Sequence, residues 1–274
     1  LVRSRGLGDV YKRQSLDKVQ DADLIVGANG AFSWVRTENE DQFGTTTDWR
    51  PNRFIWYGTS QVFDSLSLTF RDTPQGVFCA HHYRYSPTMS TFLVEVEDAT
   101  WHRSGFEAMS PEDTIRHCEQ VFAQDLGGHP ILSNNSYWRQ FPAIWNQRWS
   151  FGKVVLMGDA LRTAHFSIGS GTRLAMEDAV ALAKAFREHG SDVPAALAAY
   201  QALRLPPMKK IWDAANVSLR WYEHMDERMK ALTPVEFAYD YMTRTGRVSH
   251  AEMKRRDPGL AEAYEQLHPE VLTG

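Results

Sequence analysis

The chain has 274 residues, 43% of them hydrophobic and 23% charged, the profile of a globular protein with room for one large core or two small ones. Its net charge of -4 and pI near 6.2 give no electrostatic ground for binding nucleic acid or an anionic membrane. Two cysteines, Cys79 and Cys118, lack metal-like neighbours, which argues against a disulfide framework or a zinc site and for a reducing cytoplasm, and the longest apolar runs, such as residues 154–157, are too short to span a bilayer. Aromatic residues make up 12% with nine tryptophans, which fits either a rich core or a pocket for a flat ligand.

Residues 1–14 hold no apolar stretch of the kind a secretory signal needs. The run from Gly8 to Gln14 is similar to a peptide made when sequencing-adaptor DNA is translated. This segment is set aside as non-native, and the natural sequence is expected to begin abruptly near Ser15, inside a domain. Asp23-Leu-Ile-Val-Gly27 is a short apolar run ending in glycine, which suits a central parallel strand covered on both faces. Parallel neighbours arrive through crossover units, and too little chain lies upstream to supply them. The chain is therefore expected to start at the last strand of a dinucleotide-binding fold.

Residues 53–97 change texture, with strand candidates at 54–57, 66–71, 76–82 and 91–97 separated by turn residues. Phe92, Val94 and Val96 alternate with Leu93, Glu95 and Glu97, which predicts an antiparallel sheet with one apolar face and one partly charged face. Ser110-Pro-Glu-Asp113 opens a helix with a serine cap and a proline in its first turn. Ile115, Cys118 and Phe122 share one face of it, and Gly127-Gly128 stops it.

A buried strand returns at residues 153–158, followed by Asp159, a glycine-rich Gly169-Ser170-Gly171-Thr172 segment and a helix from Arg173 to about Glu188. The remainder reads as helical, with capping boxes at Thr233-Pro-Val-Glu236 and Ser249-His-Ala-Glu252. The order of parallel strand, antiparallel sheet, parallel strand and helices predicts an α/β fold in which a substrate sheet interrupts a nucleotide-binding domain. The expected divisions are 15–50 and 151–205 for the nucleotide-binding part, 51–150 for the sheet with its helix, and 206–274 for a helical C-terminal region.

Asp159, just past a buried strand, would sit at the carboxyl edge of the sheet, where open α/β sheets bind ligands. A carboxylate there accepts hydrogen bonds from sugar or polyol hydroxyls. Glycines 169 and 171 let backbone approach a ligand, and the helix that follows offers free N–H groups and the positive end of its dipole. A tight structural turn would use the same residues. In the candidate strand Ala80-His81-His82-Tyr83-Arg84-Tyr85, alternation puts His81, Tyr83 and Tyr85 on one face and His82 and Arg84 on the other.

Val154-Val-Leu-Met-Gly158-Asp159-Ala160, with Gly169-Ser-Gly-Thr172 and Glu177-Asp178-Ala179, resembles the second FAD motif of class A flavoprotein monooxygenases. The resemblance implies that Gly158 and Asp159 bind near the ribityl chain and that Gly169, Ser170, Gly171 and Thr172 face the pyrimidine edge of the isoalloxazine. Val26-Gly-Ala-Asn29-Gly30-Ala-Phe-Ser33-Trp-Val-Arg36 is similar to the family's middle motif, associated with the cofactor pyrophosphate and NAD(P)H, and adds Asn29, Gly30 and Arg36 to the expected contacts. Asn29 stands where the family usually has Asp, and Leu161-Arg162 where the wider family commonly has Ala-His.

The likeness runs over almost everything from Asp17 onward and is similar to two subfamilies. One hydroxylates aromatic acyl-CoA thioesters of anthraniloyl or salicyloyl type; the other hydroxylates an indole in the violacein pathway. Residues 56–61 and Gly158-Asp-Ala-Leu161 lean to the indole side. Phe237-Ala-Tyr, Thr243-Arg, Arg247-Val-Ser249-His250 and Arg256-Asp-Pro258 lean to the acyl-CoA side, which is preferred.

The implied fold is a partial FAD-binding doubly wound domain with an inserted antiparallel substrate-binding sheet and a helical C-terminus. The implied activity is a monooxygenase using FAD, NADH or NADPH as reductant, molecular oxygen and an aromatic or acyl-CoA substrate, with hydroxyl delivered to an electron-rich ring. His81, Tyr83 and Tyr85 match the subfamilies' pattern and are candidates to position substrate hydroxyl or amino groups, with packing as the alternative. His165, between Asp159 and the flavin-facing glycines, is a candidate for the reaction site or for holding its loop. Lys209-Lys210 and Lys254-Arg255-Arg256 read as solvated helix surface, with CoA phosphates as the second option. The family opens with a strand, a GxGxxG turn and a helix that hold the ADP half of FAD, and no GxGxxG occurs in this sequence. The chain is therefore expected to be N-terminally truncated, to bind FAD weakly or not at all by itself, and to be inactive alone. A flavin-free binding protein on the same scaffold is the alternative of a different class; the motif context of a flavin halogenase is not found.

Overall fold

The computed structural model describes residues 16–272, so the reading of residues 1–14 lies outside the described residues. The strands are β1 (Ile25–Gly27), β2 (Thr45–Thr59), β3 (Ser67–Thr73), β4 (Gly76–Ser86), β5 (Met89–Val96), β6 (Ile131–Leu132), β7 (Arg139–Asn146), β8 (Ser150–Phe151) and β9 (Val154–Leu156). The helices are α1 (Trp34–Thr37), α2 (Glu40–Phe43), α3 (Asp98–Arg103), α4 (Pro111–Val121), α5 (Ala123–Leu126), α6 (Gly171–His189), α7 (Val193–Tyr222), α8 (Met225–Ala231), α9 (Pro234–Thr243), α10 (His250–Arg256) and α11 (Pro258–Leu267). Two compact units result: one joins the chain up to Asp48 with Pro142–Asn216, the other joins Trp49–Phe141 with the chain from Val217 onward.

In the first unit β1 and β9 pair in parallel, Ile25 with Val154, Val26 with Val155 and Gly27 with Leu156, and β8 adds antiparallel to β9. Val154, Val155 and Leu156 are all buried, as their continuous apolar run dictates. β1 differs from its expected enclosure. Val26 is 40% exposed, and among the described residues β1 has a partner only on its β9 side. α6 buries Leu174, Ala181, Leu182 and Ala185 along one stripe, and these pack with Val35, Phe43, Trp149, Leu161, Leu197 and Tyr200 into a single core.

The second unit holds an antiparallel sheet in the order β3-β4-β5-β2-β6. Its register sets Trp56, Leu93, His81 and Leu68 in one row across β2, β5, β4 and β3, and so on one face. The opposite face carries Ile55, Tyr57, Phe78, Ala80, Phe92 and Val94 onto Phe106, Cys118, Phe122 and Leu126 of the helical layer. The partly charged face expected from alternation is also covered. Val77 and Cys79 pack against Trp221, Tyr222 and Met225, with Phe70, Phe237 and Tyr241 around them, and Glu95 is only 1% exposed. Helices far along the chain bury this face, and local alternation carries no record of them.

β2 runs for 15 residues, well beyond the four expected, because Pro51 interrupts the local strand signal while the β-branched run Thr45-Thr-Thr47 extends it upstream. α4 starts as its sequence requires, with the Asp113 amide donating to Ser110 Oγ at 3.0 Å and Pro111 in the first turn. The Thr233–Glu236 capping box is complete. At Ser249 only half forms: the Glu252 amide donates to Ser249 Oγ, while the Glu252 carboxylate is taken by Arg255 and Arg256. No helix among the described residues is long and apolar enough to cross a membrane.

Candidate functional site

Because β1 and β9 are parallel, both deliver their following loops to the same edge of the sheet. Ala28, Asn29 and Gly30 follow β1, while Met157, Gly158 and Asp159 follow β9. The loops are tied together. The Met157 amide donates to Gly27 O at 3.0 Å, and Arg36 donates from Nη1 to Ala160 O at 3.0 Å and from Nη2 to Ala31 O at 2.5 Å. Arg36 is 3% exposed, and burial pulls its guanidinium below the ordinary value, with Glu40 opposing. Its Nε has no hydrogen-bond partner among the described residues. What the geometry gives Arg36 is a stapling role between two loops.

Asn29 is exposed, and its Oδ1 accepts the Ser33 hydroxyl at 2.5 Å. Ser33 in turn accepts the Arg36 amide at 3.2 Å and caps α1. With its carbonyl oxygen engaged, Asn29 offers a ligand its amide nitrogen as a donor, which the family's usual carboxylate would lack. Gly30 adopts φ 84°, a conformation that favours glycine.

Gly158 has φ 60°, and a Cβ there would come within 3.2 Å of Ala175 Cβ, so α6 packs directly on this turn. A buried clamp fixes it. Asp178, fully buried on α6, accepts the Gly158 amide at 3.0 Å, lies 2.7 Å from Arg162 Nη1 and accepts Arg204 Nε at 3.2 Å. Arg162 Nη1 also donates to Gly158 O at 3.0 Å. Asp159 itself reaches the surface. Crowding by protein around its carboxyl raises the pKa above the ordinary 3.8, and the nearby Arg162 charge opposes that rise.

Gly169 ends a short turn at φ 59°, and Ser170 precedes α6 without a side-chain cap, its hydroxyl donating back to Ile168 O at 3.2 Å. No acidic residue lies in the first turn of α6. The first amides of this helix, from Gly171 through Thr172, have no intrahelical acceptor and carry the positive dipole end. A Cβ on Gly169 or Gly171 would meet no atom of the described residues within 4 Å, which leaves open space among them in front of both. These features fit the electron-rich edge of a flavin beside α6 and a polyol chain beside Asp159. His165 is 3% exposed, its ring lies 4.0 Å from Phe166, and its Nδ1 accepts the Ser167 amide while sitting 2.8 Å from Ser167 Oγ. It holds the turn that leads into Gly169.

In the sheet unit, exposure rises along one face of β4, from Val77 and Cys79 at 0% to His81 at 14% of its side chain and on to the half-buried Tyr83. His81 Nε2 lies 3.1 Å from Glu95 Oε2, and its ring stacks on Tyr222 at 5.2 Å. Trp56, in the same row, is 46% exposed. Tyr85 departs from the expected alternation, because the register shifts between Arg84 and Ser86 and leaves it exposed on a bulge. His82, on the other face, is buried against Phe63 and Phe92, with Thr69 Oγ1 2.9 Å from Nε2, and burial lowers its pKa to about 4. Of the basic candidates, Lys209 pairs with Asp213, Lys254 with Glu265, and Arg255 and Arg256 with Glu252. Glu95, Asn52, Trp56 and Tyr222 had no assigned role from sequence; a glutamate between two valines in a strand was the one available signal.

The nucleotide-binding edge and the inserted antiparallel sheet define a flavoprotein fold. The FAD binding domain family matches residues 9–215, and the chain belongs to it, with FAD as the cofactor. Salicyloyl-CoA 5-hydroxylase from a Streptomyces species is 42% identical, covering 83% of this chain and 46% of the relative. Protodeoxyviolaceinate monooxygenase from Chromobacterium violaceum is 38% identical, covering 88% of this chain and 65% of the relative. A solved 2-methyl-3-hydroxypyridine-5-carboxylic acid oxygenase shares the fold at TM-score 0.56 and 18% identity, covering 85% of this chain and 58% of that one. The chain thus spans about half to two thirds of the length of the curated relatives it matches.

Proposed function

We propose that this protein supplies the flavin edge and the substrate sheet of an FAD- and NAD(P)H-dependent aromatic hydroxylase. The substrate we favour is an aromatic acyl-CoA of salicyloyl or anthraniloyl type. The carrying observation is the Gly158–Asp178 clamp, which fixes the loop bearing exposed Asp159 onto α6, a helix whose start carries no side-chain cap. Asp159 accepts hydroxyls of the cofactor's ribityl chain, Asn29 and Gly30 meet its phosphate region, and Arg36 keeps their two loops in register. The amides of Gly171 and Thr172 favour negative charge at the flavin edge. Bound FAD supplies the redox chemistry with oxygen. On the sheet, His81 and Tyr83 orient a hydroxyl or amino group on the ring, Tyr85 lies at the margin, and exposed Trp56 offers the ring an apolar wall. His165 works by holding the turn before Gly169.

The salicyloyl-CoA hydroxylase likeness supports the acyl-CoA choice, and the violacein-pathway relative supports an indole as the second reading. The test is an assay of this chain completed by a strand–GxGxxG–helix unit and loaded with FAD, given NADH or NADPH and offered salicyloyl-CoA, anthraniloyl-CoA and indole substrates in parallel. A product heavier by one oxygen from a thioester is expected. Hydroxylation of the indole alone would move the assignment to the second reading, and absence of product from all of them would end the hydroxylase proposal.

A further inference from the structure

We propose that Glu95 is a positioning residue for His81, fixing the orientation and tautomer of its imidazole at the rim of the substrate sheet. The proposal rests on the hydroxylase reading for what His81 meets, and on the geometry of the sheet for how His81 is held.

Glu95 occupies the middle of β5 between Val94 and Val96, at a position where a β-branched residue would satisfy both strand preference and burial. A carboxylate 1% exposed is costly unless each oxygen is hydrogen-bonded. Both oxygens are engaged. Asn52 Nδ2 donates to Oε1 at 3.1 Å, and Oε2 lies 3.1 Å from His81 Nε2. A carboxylate oxygen only accepts, so on this proposal His81 donates from Nε2 to Glu95.

The supports of Glu95 are themselves held. Asn52 Nδ2 also donates to Tyr222 O at 3.1 Å, the Tyr222 ring stacks on His81 at 26°, and the Tyr222 hydroxyl donates to Tyr241 OH at 3.1 Å. Orientation, plane and tautomer of the imidazole are therefore set by residues from β2, β5 and α7. His81 is also the first residue on its face of β4 to reach the surface, in the row it shares with exposed Trp56. A polar network of this precision costs stability in a sheet core, and it converges on one partly open side chain.

The experiment has two readouts. Histidine-selective 15N labelling of this chain should show His81 as the Nε2–H tautomer, and Glu95→Gln should give a mixed population while melting within a few degrees of the parent. Glu95→Leu, which cannot hydrogen-bond, is the second variant should glutamine mimic the carboxylate. In the FAD-loaded holoenzyme, Glu95→Gln should lower kcat by roughly ten- to a hundredfold with little change in KM. The Glu95→Gln, His81→Ala double variant should be no slower than His81→Ala alone. Wild-type tautomer and rate in both Glu95 variants, or losses that multiply with His81→Ala, would overturn the positioning role while leaving the hydroxylase reading intact. Full turnover by His81→Ala would overturn the role of His81 on this sheet as well.

Discussion

The Gly158 amide donates to the buried carboxylate of Asp178 at 3.0 Å, which joins the second turn of α6 to the loop bearing Asp159. The same carboxylate neutralises Arg162 and Arg204, which are 2% and 7% exposed. Removing it as Asp178→Ala takes from the buried Arg162 its Asp178 counter-charge and leaves Arg204 with Glu177. The expected loss is about 3–5 kcal/mol, measured by urea denaturation, with Asp178→Asn losing less because it keeps a hydrogen-bonding oxygen.

The glycines of the edge separate backbone need from ligand need. Gly158→Ala should destabilise by about 1–3 kcal/mol, since φ 60° and the 3.2 Å approach to Ala175 both resist a side chain. Gly171→Ala meets open space inside a helix start and should leave the melting temperature within error. In the holoenzyme the same substitution should weaken FAD binding in a fluorescence titration. Unchanged affinity would remove the flavin from the front of α6.

His82 makes the sheet unit acid-sensitive. Its folded pKa of about 4 lies below the ordinary 6.5, because burial against Phe63 and Phe92 disfavours the charged ring. On acidification the unfolded chain takes up the proton first. The stability held by the neutral ring is therefore full above pH 6.5 and is lost as the pH falls towards 4, up to a loss of about 3 kcal/mol. Denaturation series across that range should show the slope, and His82→Gln should flatten it.

Asp159 gives a second pH signature, in binding. Its carboxyl titrates above the ordinary 3.8 through desolvation, and only the charged form accepts two or more hydroxyl donors well. FAD affinity of the holoenzyme should fall on acidification with a midpoint above 3.8, and Asp159→Asn should bind more weakly at neutral pH and lose that dependence.

The cofactor edge was legible in sequence because its parts are local: an apolar strand ending in glycine, an aspartate just beyond, and glycines before a helix. The cap at Ser110 and the box at Thr233 were legible for the same reason. The sheet was read as one-sided because alternation reports only the strand itself, and Trp221, Tyr222 and Met225, which close its second face, lie more than a hundred residues downstream of Val77 and Cys79. Tyr85 was misplaced because one extra residue in a hairpin leaves no compositional mark. Arg36 matched a motif by position, yet its use as a staple depends on carbonyls at Ala31 and Ala160 that only the fold brings together.

Val26 also bears on how the polypeptide behaves at high concentration. Among the described residues β1 has hydrogen-bonded company on one side only, and its middle side chain is an exposed valine. Such an edge is a template on which another extended chain can dock, so it bears on colloidal stability alongside the charge of -4. Light scattering from this chain should rise steeply with concentration, and Val26→Lys should raise the concentration at which it does.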